Sequence, residues 1–123
     1  MLGDPGELED VVVNLVSNAI KFSDPGGSVT VALAGRVEEA RAYVELRVSD
    51  RGIGIAENEM DRLFEEFFRS ERPTARSRPG TGLGLPVVDR IVNRHRGRVE
   101  VESELGVGTT FRVILPGLPS DPA

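Results

Sequence analysis

The 123-residue sequence contains no cysteine, so neither a disulfide nor a thiolate metal site can contribute to the fold. No apolar run approaches the roughly 20 residues that a membrane-spanning helix needs, and no signal peptide opens the chain. These absences predict a cytoplasmic domain without direct membrane contact, either free or as the cytoplasmic part of a membrane-bound sensor. Basic charge is also short: the net charge is −5, which argues against nucleic acid as a partner. Lysine is nearly missing, since fourteen of the fifteen basic side chains are arginine and only Lys21 is not. Arginine bias is what a GC-rich genome produces, so the surviving lysine stands out.

What is present suits one domain with a real core: 39 % of residues are apolar, and they fall in periodic segments. Leu8, Val11, Val12, Leu15, Val16, Ala19 and Ile20 recur at helical spacing and predict a helix over residues 5–22, stopped by Asp24-Pro25-Gly26-Gly27. Val29/Val31/Leu33 and Val44/Leu46/Val48 alternate as two strands, with Gly35–Arg41 expected as the joining loop. Met60, Leu63, Phe64 and Phe67 share one face of a short helix, and the Phe64/Phe67 pair reads first as core. Residues 69–80, with Arg69, Arg72, Arg76 and Arg78 and little to bury, read as a loop. A third helix starts near Leu83 and stops at Gly97. A last hairpin pairs Val99/Val101 with Phe111/Val113/Leu115. This order predicts an α+β two-layer sandwich, about three helices on one face of a mixed, mostly antiparallel sheet. The domain is expected over residues 1–117, with residues 118–123 as a frayed tail.

Three groups of residues carry chemistry. Asp10, Asn14, Asn18 and Lys21 lie on one helix face. A single asparagine there would be an ordinary solvated amide. Two in register with the only lysine suit a nucleoside triphosphate, because Mg²⁺ takes oxygen ligands and draws most of them from phosphates and water. Asp50, followed by Gly52, Gly54 and Ile55, ends a buried strand. Asp-x-Gly-x-Gly is common in turns, but here it suggests a pocket carboxylate that accepts from the adenine 6-amino group, with glycines admitting a planar ligand. Gly80-Thr81-Gly82-Leu83-Gly84-Leu85 precedes a helix, where free N–H groups form an anion site, or else it is a simple hinge. It has neither the lysine of a P-loop nor the spacing of a dinucleotide fingerprint.

Taken in order, Asn14–Phe22, Asp50–Ile55, Phe64–Arg69, Gly80–Leu85 and Gly106–Phe111 resemble the N, G1, F, G2 and G3 boxes of histidine kinases over nearly the whole chain. The resemblance implies the Bergerat-type ATP-binding fold shared with gyrase B, mismatch-repair ATPases and heat-shock chaperones. It implies that Asn18 ligates Mg²⁺ with Asn14 beside it, that Lys21 meets phosphate and that Asp50 meets adenine. Gly82 and Gly84 would meet the phosphate chain, Thr81, Leu83 and Leu85 would complete that box, and Thr109 would reach adenine through water. Residues 69–79 would be the ATP lid.

The resemblance further implies transfer of the γ-phosphoryl group to a histidine on a separate dimerisation domain, and onward to a response regulator. Relatives that hydrolyse ATP, and anti-sigma serine kinases, carry a glutamate where Asn14 stands, so a general base is lacking here. The alternatives are such an ATPase or serine kinase, or a truncated interaction module. His95, the only histidine, is followed by Arg96 rather than an acidic residue and reads as packing, not as the acceptor. The family's domain usually has a strand before Gly3-Asp4, so an exposed sheet edge is expected. Pro79 replaces a common glycine, and Pro86 falls in a helix first turn, where proline is tolerated.

Overall fold

In the computed structural model, residues 5–65 and 84–117 are described. Val11, Leu15 and Ala19 repeat every four residues and form the buried stripe of helix α1, Pro5–Phe22, as its periodicity predicts. The stripe is narrower than the sequence pattern suggested: Ile20 is 62 % exposed and Val12 also faces outward. Strands β1 (Val29–Glu38) and β2 (Arg41–Asp50) form a hairpin that runs on into the expected loop. The turn is only Glu39-Ala40, both at positive φ, 49° and 66°. That two-residue geometry matches the right-handed twist of the strands, which is why pairing continues to Glu38–Arg41.

The short helix expected around Met60 is a 3₁₀ helix, Glu57–Arg62, with no buried residue. Phe67 lies outside the described residues, as do the predicted lid 69–79, Pro79 and the tail 118–123. The third predicted helix, here α2, spans Gly84–Arg94, with Pro86 buried in its first turn. It ends one residue earlier than glycine placement implied. Arg96, at φ 60°, takes the left-handed position, and Gly97 N–H donates to the Val92 carbonyl (2.9 Å), closing the helix end. His95 Nδ1 lies 2.8 Å from the Ile91 carbonyl in the same turn, consistent with a packing role.

β3 (Arg98–Glu104) and β4 (Gly108–Pro116) form the expected hairpin, and its register sets Val99 opposite Val113 and Val101 opposite Phe111. The sheet order is β1-β2-β4-β3, and every pairing among the described residues is antiparallel, so the mixed sheet expected is not seen there. Three helices pack against this open four-stranded sheet. The core is Val11, Leu15 and Ala19 of α1 and Val88, Ile91 and Val92 of α2, set on Leu46, Val48, Phe111, Val113 and Leu115. Val29, at the start of β1, packs against this core, but the strand then runs out from under the helices. Val31 and Leu33, expected to be half-buried, are exposed because the helices sit over the two central strands.

Candidate functional site

The ends of β2 and β4 set the floor of the site, where Asp50 and Thr109 face each other in register. Asp50 is only 9 % exposed. Burial pushes its carboxyl up to about 6, partly offset by a hydrogen bond from the Thr109 backbone, and Asp24 nearby adds repulsion. Among the described residues, no hydrogen-bond partner reaches its buried Oδ1. An unsatisfied buried acceptor costs about 1–3 kcal/mol and is uncommon in a folded chain. The atom is open to a donor that the described residues do not supply.

The walls come from three segments stitched by backbone bonds. Ile53 N–H donates to the Phe22 carbonyl at the end of α1 (3.2 Å), and Gly52 N–H donates to Val107 in the β3–β4 turn (3.2 Å). Gly106 N–H donates back to Ile53 (2.9 Å). Gly52 and Gly54 serve this stitching directly. A Cβ on Gly52 would strike the Phe22 carbonyl, and one on Gly54, at φ 72°, would strike the Glu104 carbonyl. The glycines thus let the chain approach itself, where the sequence suggested room for a ligand.

Ser103 is a site residue that motif reading missed. Its hydroxyl accepts from Ile55 N–H (2.8 Å), donates to the Gly108 carbonyl (3.0 Å) and lies 2.8 Å from Thr109 Oγ1. It orients Thr109 and pins Ile55 to the floor. The only sequence signal was a serine inside a strand five residues before Gly108, which is too ordinary to notice.

α1 supplies the polar side. Asn14 Nδ2 donates to the Asp10 carbonyl (2.7 Å), which fixes the amide so that Oδ1 faces the start of α2. A Cβ on Gly84 would be 3.1 Å from that oxygen. Asn14, Asn18 and Lys21 are all half-buried, and the Lys21 ammonium lies 5.6 Å from the centroid of the Phe22 ring. Asn14 and the first turn of α2, with Gly84 and Leu85, are therefore brought together, and the Asp50–Thr109 floor reaches α1 through Ile53. Thr81, Gly82 and Leu83 lie outside the described residues.

The donor set can be weighed against the groups the resemblance implies. Among the described residues no three His, Cys, Asp or Glu side chains cluster, so a metal held by protein carboxylates alone does not fit. Neutral amide oxygens beside an anion-accepting helix start do fit Mg²⁺ that is coordinated mainly by phosphate and water. The orphaned Asp50 oxygen fits an amino donor such as that of adenine.

Comparison with known proteins agrees. Residues 3–119 match the family of histidine kinase-, DNA gyrase B- and HSP90-like ATPases, and the chain belongs to that family. Its similarity falls on the histidine kinases within it. The sensor-like histidine kinase SenX3 of Mycolicibacterium smegmatis is 41 % identical over 119 residues, 97 % of this chain and 30 % of the relative. The kinase/phosphatase MprB of Mycolicibacterium vanbaalenii is 45 % identical over 122 residues, 96 % of this chain and 24 % of the relative. Among solved structures, a mycobacterial sensor histidine kinase MprB superimposes with a TM-score of 0.82 at 39 % identity, over 95 % of this chain and 76 % of that one. Full-length ShkA in complex with AMPPNP gives a TM-score of 0.68 at 32 % identity, over 90 % of this chain and 21 % of that one. The chain is thus an ATP-binding catalytic domain of the histidine-kinase type, spanning about 30 % or less of these curated relatives. No helix among the described residues is long and apolar enough to cross a membrane.

Proposed function

We propose that this domain binds ATP with Mg²⁺ and delivers the γ-phosphoryl group to a histidine on a separate dimerisation domain, from which it passes to a response regulator. The orphaned Oδ1 of buried Asp50 carries the reading, because it is an acceptor held in place for a donor that the described residues do not supply. Asp50 would accept from the adenine 6-amino group, and the same carboxylate would repel the guanine carbonyl. Thr109, oriented by Ser103, would hold a water beside the base. Asn18, with Asn14 beside it, would ligate Mg²⁺, which supplies charge to the phosphates when bound. Lys21 and the first turn of α2 at Gly84 and Leu85 would meet the phosphates, with Thr81, Gly82 and Leu83 continuing that box.

Nothing at position 14 can act as a general base, since an amide does not take up a proton near neutrality. The domain therefore holds the triphosphate and relies on a nucleophile brought by another domain, with positioning and electrostatics carrying the transfer. His95, half-buried with its Nδ1 in the α2 end turn, is not that nucleophile.

Calorimetric titration with an ATP analogue and Mg²⁺, beside the GTP analogue and Asp50→Asn, tests the binding step. Adenine-selective binding that the substitution weakens by at least about tenfold is expected, one charge-assisted hydrogen bond being worth roughly that much. Incubation with labelled ATP tests the transfer. Label should appear on an added histidine-bearing helical acceptor domain and not on this chain alone. Steady phosphate release without an acceptor would instead make it an ATPase.

A further inference from the structure

Asp50, Thr109 and Ser103 stand on one rung of the sheet. Thr109 of β4 faces Asp50 of β2 on one side and Ser103 of β3 on the other. Residues paired in this way carry their Cβ atoms about 4.5–5.5 Å apart, so the Thr109 hydroxyl can reach toward either neighbour. The adjacent rung shows the reach to β2: Thr110 Oγ1 lies 2.9 Å from Ser49 Oγ, its direct partner on that strand. On the Asp50 rung the hydroxyl goes the other way, to Ser103 at 2.8 Å. Among the described residues, nothing bonds the buried Asp50 Oδ1.

The direction of the Ser103–Thr109 bond follows from the protons available. A serine hydroxyl has one proton to give and two lone pairs to receive. The Gly108 carbonyl, 3.0 Å from Ser103 Oγ, can only accept. The Ile55 N–H, at 2.8 Å, can only donate. All three contacts of Ser103 are hydrogen bonds in one arrangement alone: its proton goes to Gly108, and Ile55 and Thr109 both donate to it. The single Thr109 hydroxyl proton is thereby used. Only lone pairs remain on Thr109 Oγ1, and they cannot satisfy a carboxylate.

We propose that Ser103 is a positioning residue for base recognition: by taking the Thr109 proton, it keeps the Asp50 oxygen open to the ligand. The inference rests on the reading of Asp50 as the contact for the adenine amino group. Without Ser103, the Thr109 hydroxyl turns about its Cα–Cβ bond toward Asp50 and occupies the acceptor. A base must then break a charge-assisted hydrogen bond before it can enter, which lowers affinity. That same turn would relieve a buried, unsatisfied carboxylate, so Ser103 holds the rung in the arrangement that favours ligand over internal pairing.

Ser103→Ala, Thr109→Val and the two combined test this. Each is read by calorimetry with an ATP analogue and Mg²⁺, and by carboxyl-carbon NMR titration of Asp50 in the nucleotide-free chain. Ser103→Ala should weaken binding about tenfold, the worth of one bond to a charged group. Thr109→Val keeps the shape, removes the hydroxyl and should weaken binding less. The combined variant should bind like Thr109→Val alone, because no hydroxyl remains to block Asp50. In the free chain, Ser103→Ala should lower the Asp50 titration from about 6 toward the ordinary carboxylate range, and adding Thr109→Val should return it. Asp24, whose charge repels that of Asp50, is present in every variant. A loss from Ser103→Ala that persists in full in the combined variant would show that Ser103 acts through Ile55 or Gly108. An Asp50 titration indifferent to Ser103 would show that Thr109 never competes. Either result overturns the proposal. A titration that moves while affinity does not would overturn the Asp50–adenine contact, and the recognition role of Ser103 with it. Should loss of the Ile55 acceptor unfold Ser103→Ala, the parent chain still decides: the Thr109 hydroxyl proton should show nuclear Overhauser contacts to Ser103, and contacts to the Asp50 methylene would overturn the proposal.

Discussion

Asn14 Oδ1 sits 3.1 Å from the place where Gly84 would carry a Cβ, so the polar face of α1 and the first turn of α2 meet at an amide and a missing methyl group. Asn14 is held there by its bond to the Asp10 carbonyl, one turn back. If the first turn of α2 meets phosphate as proposed, nucleotide binding and helix propensity pull in opposite directions at position 84.

Gly84→Ala should separate them. Within a helix alanine is favoured over glycine by up to about 1 kcal/mol, so thermal stability should stay level or rise slightly. The added methyl displaces the Asn14 amide and crowds the helix start, and affinity for the ATP analogue should fall several-fold. A stable variant with unchanged affinity would remove Asn14 and Gly84 from the site.

Asp50→Asn should also stabilise the chain while it weakens ligand binding. The folded carboxyl is raised from 3.8 to about 6. Between those values the folded state binds more protons than the unfolded one, so stability falls as pH rises, and above about 6 the full cost of the buried charge is present. That cost is roughly 1–3 kcal/mol. The variant should gain about that much in urea unfolding at pH 7 and little at pH 4. An equal difference at both values would show that burial of the charge is not what strains this position.

The same group predicts how binding responds to acid. The ionised carboxylate is the form that accepts from an amino donor, so affinity for the ATP analogue should be flat above about pH 7 and decline below about 6. Asp50→Asn, with no proton to gain, should lack that step at its lower affinity. Titrations at several pH values on both proteins separate this step from protonation of the triphosphate, which both share.

Much of this was legible in the chain itself. The four-residue repeat of Val11, Leu15 and Ala19 marks α1, and the alternation of Val99/Val101 and of Phe111/Val113/Leu115 marks the last hairpin, because both periods are imposed by local backbone geometry. Which side of each segment is covered depends on distant neighbours. Leu33 alternates like a core residue but lies on an edge strand, and Ile20 falls in the apolar repeat of α1 yet faces outward. The Asn14–Gly84 contact joins residues 70 positions apart in the sequence, and the hub made by Ser103 depends on the fold placing Ile55 and Thr109 around one hydroxyl. Neither has a local signature.

The β1–β2 turn shows where the sequence misdirects and gives the last prediction. Gly35 and the polar residues after it suggested a long loop, yet the turn falls on Glu39 and Ala40, neither suited to positive φ. A left-handed conformation costs a residue with a Cβ roughly 1 kcal/mol, and the two-residue hairpin requires it twice. Replacing both together, Glu39→Asn with Ala40→Gly, leaves the strand register unchanged and relieves both positions. Glu39 and Ala40 are both exposed, so nothing else should be lost. Stability should rise by about 1–2 kcal/mol in urea unfolding with no change in affinity for the ATP analogue, because the turn lies at the far end of β2 from Asp50. A loss of stability would mean that the turn found here is not the one the protein adopts.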